Sequence, residues 1–178
     1  RKIFVGTSAF ENSGLVSFHS ESCSIIVEKS AFENCKNFVE FKANANIESI
    51  FGSSVFKDCK KMQIAFISPN AEKVSFGKCC FMNTAIQKFI IPINLEDLPH
   101  CIFKNCLKLK EVQIDENISS IKSIRSNAFK SSGIKTIYIP STICIIEDKS
   151  FGHCQKLNSV HFARNKFLLK IKFSCFEN

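Results

Sequence analysis

The chain has 178 residues and carries 24 Lys and Arg against 16 Asp and Glu, for a net charge of +8 with 45% hydrophobic residues. That length fits one domain, and no segment approaches the 18 or more apolar residues of a helical membrane span. Six glycines are too few for phosphate-cradling loops, and no basic run shows the aromatic interleaving of a single-strand nucleic-acid binder.

Along the chain a phenylalanine recurs at Phe10, Phe32, Phe56, Phe81, Phe103, Phe129, Phe151 and Phe176, in steps of 22, 24, 25, 22, 26, 22 and 25 residues. A period in the low twenties is the length of one short strand plus a return segment, a unit that buries its apolar face only against its neighbours. Other columns keep step. Five residues before each anchor stand Val5, Val27, Phe51, Phe76, Leu98, Ile124, Ile146 and Ile171, all large and apolar. Three residues after it come Ser13, Cys35, Cys59, Thr84, Cys106, Ser132 and Cys154, small side chains suited to a cramped interior.

Further downstream, stretches such as Leu109 to Ile114, Ile134 to Ile139 and Leu157 to Phe162 alternate apolar and variable residues, which predicts half-buried strands. Pro92 and Pro140 lack the amide donor that would continue a ladder and mark where two strands stop. The windows come in two lengths, the shorter carrying Ser13-Gly14, Thr84-Ala85 or Ser132-Gly133 one residue nearer the strand.

Ala31-Phe32-Glu33-Asn34-Cys35, Phe103 to Leu109 and Ser150 to Leu157 carry a closer likeness. Over essentially its whole length the chain resembles the BspA-like, treponemal-type leucine-rich-repeat family of microbial surface proteins. Cys80 and Cys175 depart from the small Ala before the anchor, and Val55 and Ile102 overfill that slot. The resemblance implies an α/β-type solenoid, a right-handed stack with one parallel β-sheet of short strands and turn, irregular or short helical returns. Residues 1–178 form a single domain of seven to eight repeats, about 35 Å long at roughly 4.8 Å per step. Both ends fall inside a repeat, and solenoids need polar caps, so the expectation is a piece of a longer array.

Ten cysteines look like a disulfide or metal framework until four of them fall in the small interior column. A free thiol packs as a small hydrophobe. Cys35 and Cys59 lie in successive windows within disulfide reach, whereas Ser132 separates Cys106 from Cys154, so the column is not built for pairing. His100-Cys101 with Cys106, and His153-Cys154, only imitate the paired ligand spacing of a zinc site. No metal or cofactor is expected. His19, His100, His153 and His161 occupy variable slots, with His153 standing where Asn34, Asn83 and Asn105 stand elsewhere. No catalytic motif is found and no enzyme is expected. The charge reads as solvated lysines in turn slots, since phosphate clamps favour arginine forks and arginine is scarce here.

What remains is the outward side of the strands. One column runs His19, Lys42, Phe66, Ile90, Gln113, Tyr138, His161, and the column before it runs Ser17, Glu40, Ile64, Lys88, Glu111, Thr136, Ser159. Apolar Ile64, Phe66 and Ile90 in neighbouring windows, with Tyr138 two further on, suggest a protein contact patch rimmed by His19, Lys42, Lys88, Glu111, Gln113 and His161. A register slip of one residue would turn all of them inward. The resemblance implies adhesion at a cell surface to host matrix or surface proteins, with the sequon Asn117-Ile118-Ser119 as slight support. Ten free thiols fit a reducing compartment better, which keeps an intracellular scaffold, or a spacer without a partner, as alternatives.

Overall fold

Each repeat window folds into one turn of a parallel-strand solenoid, seen in a computed structural model that describes residues 1–115, 119–164 and 169–177. In chain order the strands are β1 (Lys2–Val5), β2 (Ser17–Ser20), β3 (Ser24–Val27), β4 (Glu40–Ala43), β5 (Glu48–Phe51), β6 (Ile64–Ile67), β7 (Lys73–Phe76) and β8 (Lys88–Ile90). They continue as β9 (Asp97–Leu98), β10 (Glu111–Gln113), β11 (Ser123–Ile124), β12 (Thr136–Ile139), β13 (Ile145–Ile146), β14 (Ser159–Phe162) and β15 (Lys170–Ile171). Even-numbered strands form a front row and odd-numbered strands a return row, and every pairing is parallel.

The expected solenoid and its front strands are present. The returns differ from a turn or short helix: the apolar column five residues before each anchor is the last residue of a return strand, and no described residue is helical. Ile3 and Val5, or Ile25 and Val27, alternate inward as a strand should. In the later windows the positions that match Ile3 and Ile25 hold Glu96, Lys122 and Cys144, all exposed, and the return strands shrink to two residues. That lost alternation hides them from a period-two search.

The anchor turn is the most regular part. Phe32, Phe56, Phe81, Phe103, Phe129 and Phe151 are fully buried, and successive anchor rings stack with centroids 5.1 to 5.5 Å apart from Phe10 to Phe176. Offset stacking at this separation is favourable beyond simple burial. Phe10 and Phe176, each with a single anchor neighbour, are only partly buried. The backbone around each anchor from Phe10 to Phe151 turns through left-handed residues two before and two after it, as at Ser30 and Asn34 or Cys101 and Asn105. Asn and Asp tolerate that region better than most residues, and His153 (φ 57°) takes it where Asn stands elsewhere. Anchor amides donate to the next turn, Phe32 N to Val55 O (2.9 Å) and Phe103 N to Ala128 O (2.8 Å) among them, so the buried turn leaves these donors satisfied.

The sheets are less continuous. The front row divides into β2-β4-β6, β8-β10 and β12-β14. Its breaks fall ahead of β8 and β12, the strands of the short windows. In the longer windows Phe38, Met62, Leu109 and Leu157 donate back to the small-column carbonyl three residues earlier at 2.9 to 3.1 Å, adding a turn. The next residue or its successor then reaches the preceding window, as Gln63 N does to Val39 O (2.9 Å) and Lys110 N to Gln87 O (2.9 Å). Among the described residues no such bond leads back from Gln87 or Lys135, because the one-residue deletion removes the extra turn. The return row breaks once, between β7 and β9. There Pro99 fills the slot from which Gly77, Arg125 and Glu147 donate to Phe51, Leu98 and Ile124 carbonyls at 2.7 to 2.9 Å, and proline has no hydrogen to give.

Candidate functional site on the front sheet

All ten sequence-predicted residues lie on the front row, and the two outward columns are in register. His19 faces Lys42 and Lys42 faces Phe66; Ile90 faces Gln113, Lys88 faces Glu111, and Tyr138 faces His161. Between them Phe41, Phe89, Val112 and Ile137 point into the core. The one-residue slip that would have buried the apolar candidates is therefore not what this sequence adopts. Ile64, Phe66 and Ile90 are 44%, 39% and 41% exposed, and Tyr138 is half-buried.

The short-window deletion shapes the surface between them. Where the ladder stops between β6 and β8, an open groove of about 440 Å³ is lined by Ile64, Phe66, Ile67, Lys88 and Ile90, with Gln63 and Gln87 at one end. A second groove of about 710 Å³ shares Ile90 and reaches Tyr138 past Pro69, Ile93 and Val112. Tyr138, two windows away in sequence, is thereby joined to the apolar patch. Sequence columns alone could not show the grooves, since they arise from ladder geometry.

The rim is ionic. Glu40 accepts from Lys42 (2.7 Å) and His19 (2.8 Å), bonds that hold its carboxyl below the usual range, Lys42 first. Farther along, Glu111 pairs with Lys88 (3.3 Å) and accepts from Gln113 Nε2 (2.7 Å). Such exposed pairs are screened by salt and fix side-chain positions more than they stabilise the fold.

The thiols of the interior column are structural. Cys35, Cys59, Cys106 and Cys154 donate to the carbonyls of Phe10, Phe32, Phe81 and Phe129, the anchor of the preceding turn, at 2.9 to 3.0 Å. In the short windows a hydroxyl takes the slot and meets the next thiol: Ser13 with Cys35 (3.3 Å), Thr84 with Cys106 (3.4 Å), Ser132 with Cys154 (3.5 Å). Burial pushes the Cys59 thiol to about 12 and that of Cys106 to about 11. A thiol held in that range is a poor nucleophile and a poor metal ligand at neutral pH. No group of three or more His, Cys, Asp and Glu among the described residues is placed to hold a metal ion. Asn117 and Ile118 of the sequon lie outside the described residues.

Stacked parallel strands, an inward anchor column and outward variable columns define a leucine-rich-repeat solenoid. The profile of the BspA type leucine rich repeat region matches the chain in six copies over residues 3–123 and 74–178, and the chain belongs to that family. Among solved structures it is similar to a leucine rich cell surface protein from Faecalibacterium prausnitzii A2-165, with 20% identity and a TM-score of 0.71 over 90% of this chain. It is also similar to a leucine-rich repeat protein from Bacteroides ovatus ATCC 8483, with 14% identity and a TM-score of 0.53 over 98% of this chain. The chain spans 42% of the length of the first and 67% of the second. At these identities the likeness is one of fold. No curated protein matches the chain by sequence. No helix among the described residues is long and apolar enough to cross a membrane.

Proposed function

We propose that the chain is a nonenzymatic leucine-rich-repeat module that binds a protein through the front sheet, in adhesion at a cell surface. The observation that carries this is the groove at the β6–β8 break, where Ile64, Phe66 and Ile90 stand exposed side by side between charged rims. Apolar anchors inside a polar border are the arrangement that concentrates binding energy at protein interfaces. The surface location is supported by the Faecalibacterium neighbour, which is a cell surface protein. Beads coated with the chain are expected to adhere to matrix and cell-surface protein preparations, and Phe66→Ala, Ile90→Ala and Tyr138→Ala together to cut adhesion at least tenfold with an unchanged melting temperature. Undiminished adhesion overturns the assignment to this face.

A second reading, an intracellular scaffold built on the same face, is favoured by the ten free thiols and a reducing compartment. Labelling intact cells with an impermeant amine reagent separates the two: lysines of a surface protein are modified, and those of a scaffold are not.

A further inference from the structure

Between the small interior column and the front strands each window contributes an edge of three or four residues: 14–16, 36–39, 60–63, 85–87, 107–110, 133–135 and 155–158. In the sequence these edges hold seven lysines and no aspartate or glutamate, although the chain has 16 carboxylate side chains. The solenoid lays the edges side by side. Lys108, Lys110, Lys135 and Lys156 converge on one concavity of about 360 Å³ that also contains Leu107, an apolar side chain 65% exposed. Other lysines have partners, Lys88 with Glu111 and Lys57 with Glu33. Among the described residues none of these four has a carboxylate partner. Gln63 and Gln87 line both this concavity and the apolar groove at the β6–β8 break, so the two are continuous.

We infer that the partner engages this face through an acidic, extended polypeptide segment. An apolar side chain of that segment enters the groove at Phe66 and Ile90, and its carboxylates follow along Lys108, Lys110, Lys135 and Lys156. This rests on the protein-binding reading above and adds the partner's chemistry. From the window of Phe66 to that of Lys156 is four steps, about 19 Å at roughly 4.8 Å each, which about six residues of extended chain span. The chemistry favours a polypeptide over a sulfated glycan or a nucleic acid. Leu107 and Phe66 need apolar cover that a sulfated sugar chain lacks, and the cationic groups are all lysines, point charges without the fork that reads phosphate.

The test is selection of displayed random dodecapeptides on the purified chain. Recovered peptides are expected to carry at least three Asp or Glu beside one large apolar residue. Their affinity should fall at least tenfold for Lys108→Glu/Lys135→Glu, fall less for the Gln versions, and weaken several-fold between 50 and 200 mM salt. Melting temperatures of the variants check folding. Peptides without acidic bias that still depend on Phe66 overturn the charge inference and leave the protein-binding reading standing. Binding of a heparin oligosaccharide or a single-stranded oligonucleotide, lost in the same Glu variants while no acidic peptide is recovered, overturns the inference in favour of those ligands. A selection that yields no peptide binder counts against both readings.

Discussion

At the anchor turn Phe56, Phe81, Phe103 and Phe129 keep centroid separations of 5.4 to 5.5 Å without a break, while the front strands of the same windows lose their ladder twice. One residue deleted from a turn is invisible at the first region and decisive at the second. The anchor turn is fixed by dense packing and by a hydrogen bond from every second amide to the next turn, so a length change cannot be absorbed there. It is passed to the sheet, where exposed strands part slightly and a groove opens. In this solenoid the recurring interior column keeps the fold, and irregular spacing makes the surface.

The sharpest way to break that contrast is at an anchor. Phe103→Ala removes a fully buried ring stacked on both neighbours and should cost about 3–5 kcal/mol in denaturant unfolding, against less than about 0.5 kcal/mol for Phe66→Ala on the exposed face. Next come the close approaches between turns. A Cβ at Gly77 would lie 2.3 Å from the Ser53 amide, and one at Gly133 would lie 2.3 Å from the Leu107 carbonyl oxygen. Neither glycine has a positive φ, so contact alone sets the penalty. Alanine at either site should cost about 1–3 kcal/mol.

The thiol column gives a smaller, pH-dependent effect. The Cys59 and Cys106 pKa values rise from 9.0 in the unfolded reference to about 12 and about 11 through burial. The folded chain therefore holds protons that the unfolded chain releases: this stability is fully present below pH 9 and declines as pH rises towards 11 and 12. Unfolding between pH 8 and 11 should show the fall, and Cys106→Ala should flatten it. At pH 8 iodoacetamide should modify exposed Cys23 and Cys144 and spare Cys59 and Cys106 until the chain unfolds. The mildest change tests the deletion itself. One residue inserted between Ala85 and Ile86 gives the Phe81 window the longer form, and hydrogen exchange should then slow in residues 64–67 and 88–90 with little change in global stability.

The likeness of windows counted from Phe10 to Phe176 makes the repeat, the buried thiol column and both outward columns legible in the sequence. Their side-chain periods, one per window and two per strand, are written in residue order. The second strand row was not legible, because Glu96, Lys122 and Cys144 break the alternation that Ile3, Ile25 and Val74 keep. The grooves were not legible either, since they depend on whether neighbouring strands pair.

Sequence by itself thus determined which side chains face in and which face out, because burial selects residue type column by column. Tertiary structure alone decided what the outward residues form together. Whether β8 hydrogen-bonds to β6 is settled by turn length relative to the neighbouring window, a comparison between residues about 24 apart that no local pattern contains. The same stacking gathers Lys108, Lys110, Lys135 and Lys156, ordinary turn lysines in the chain, around one concavity.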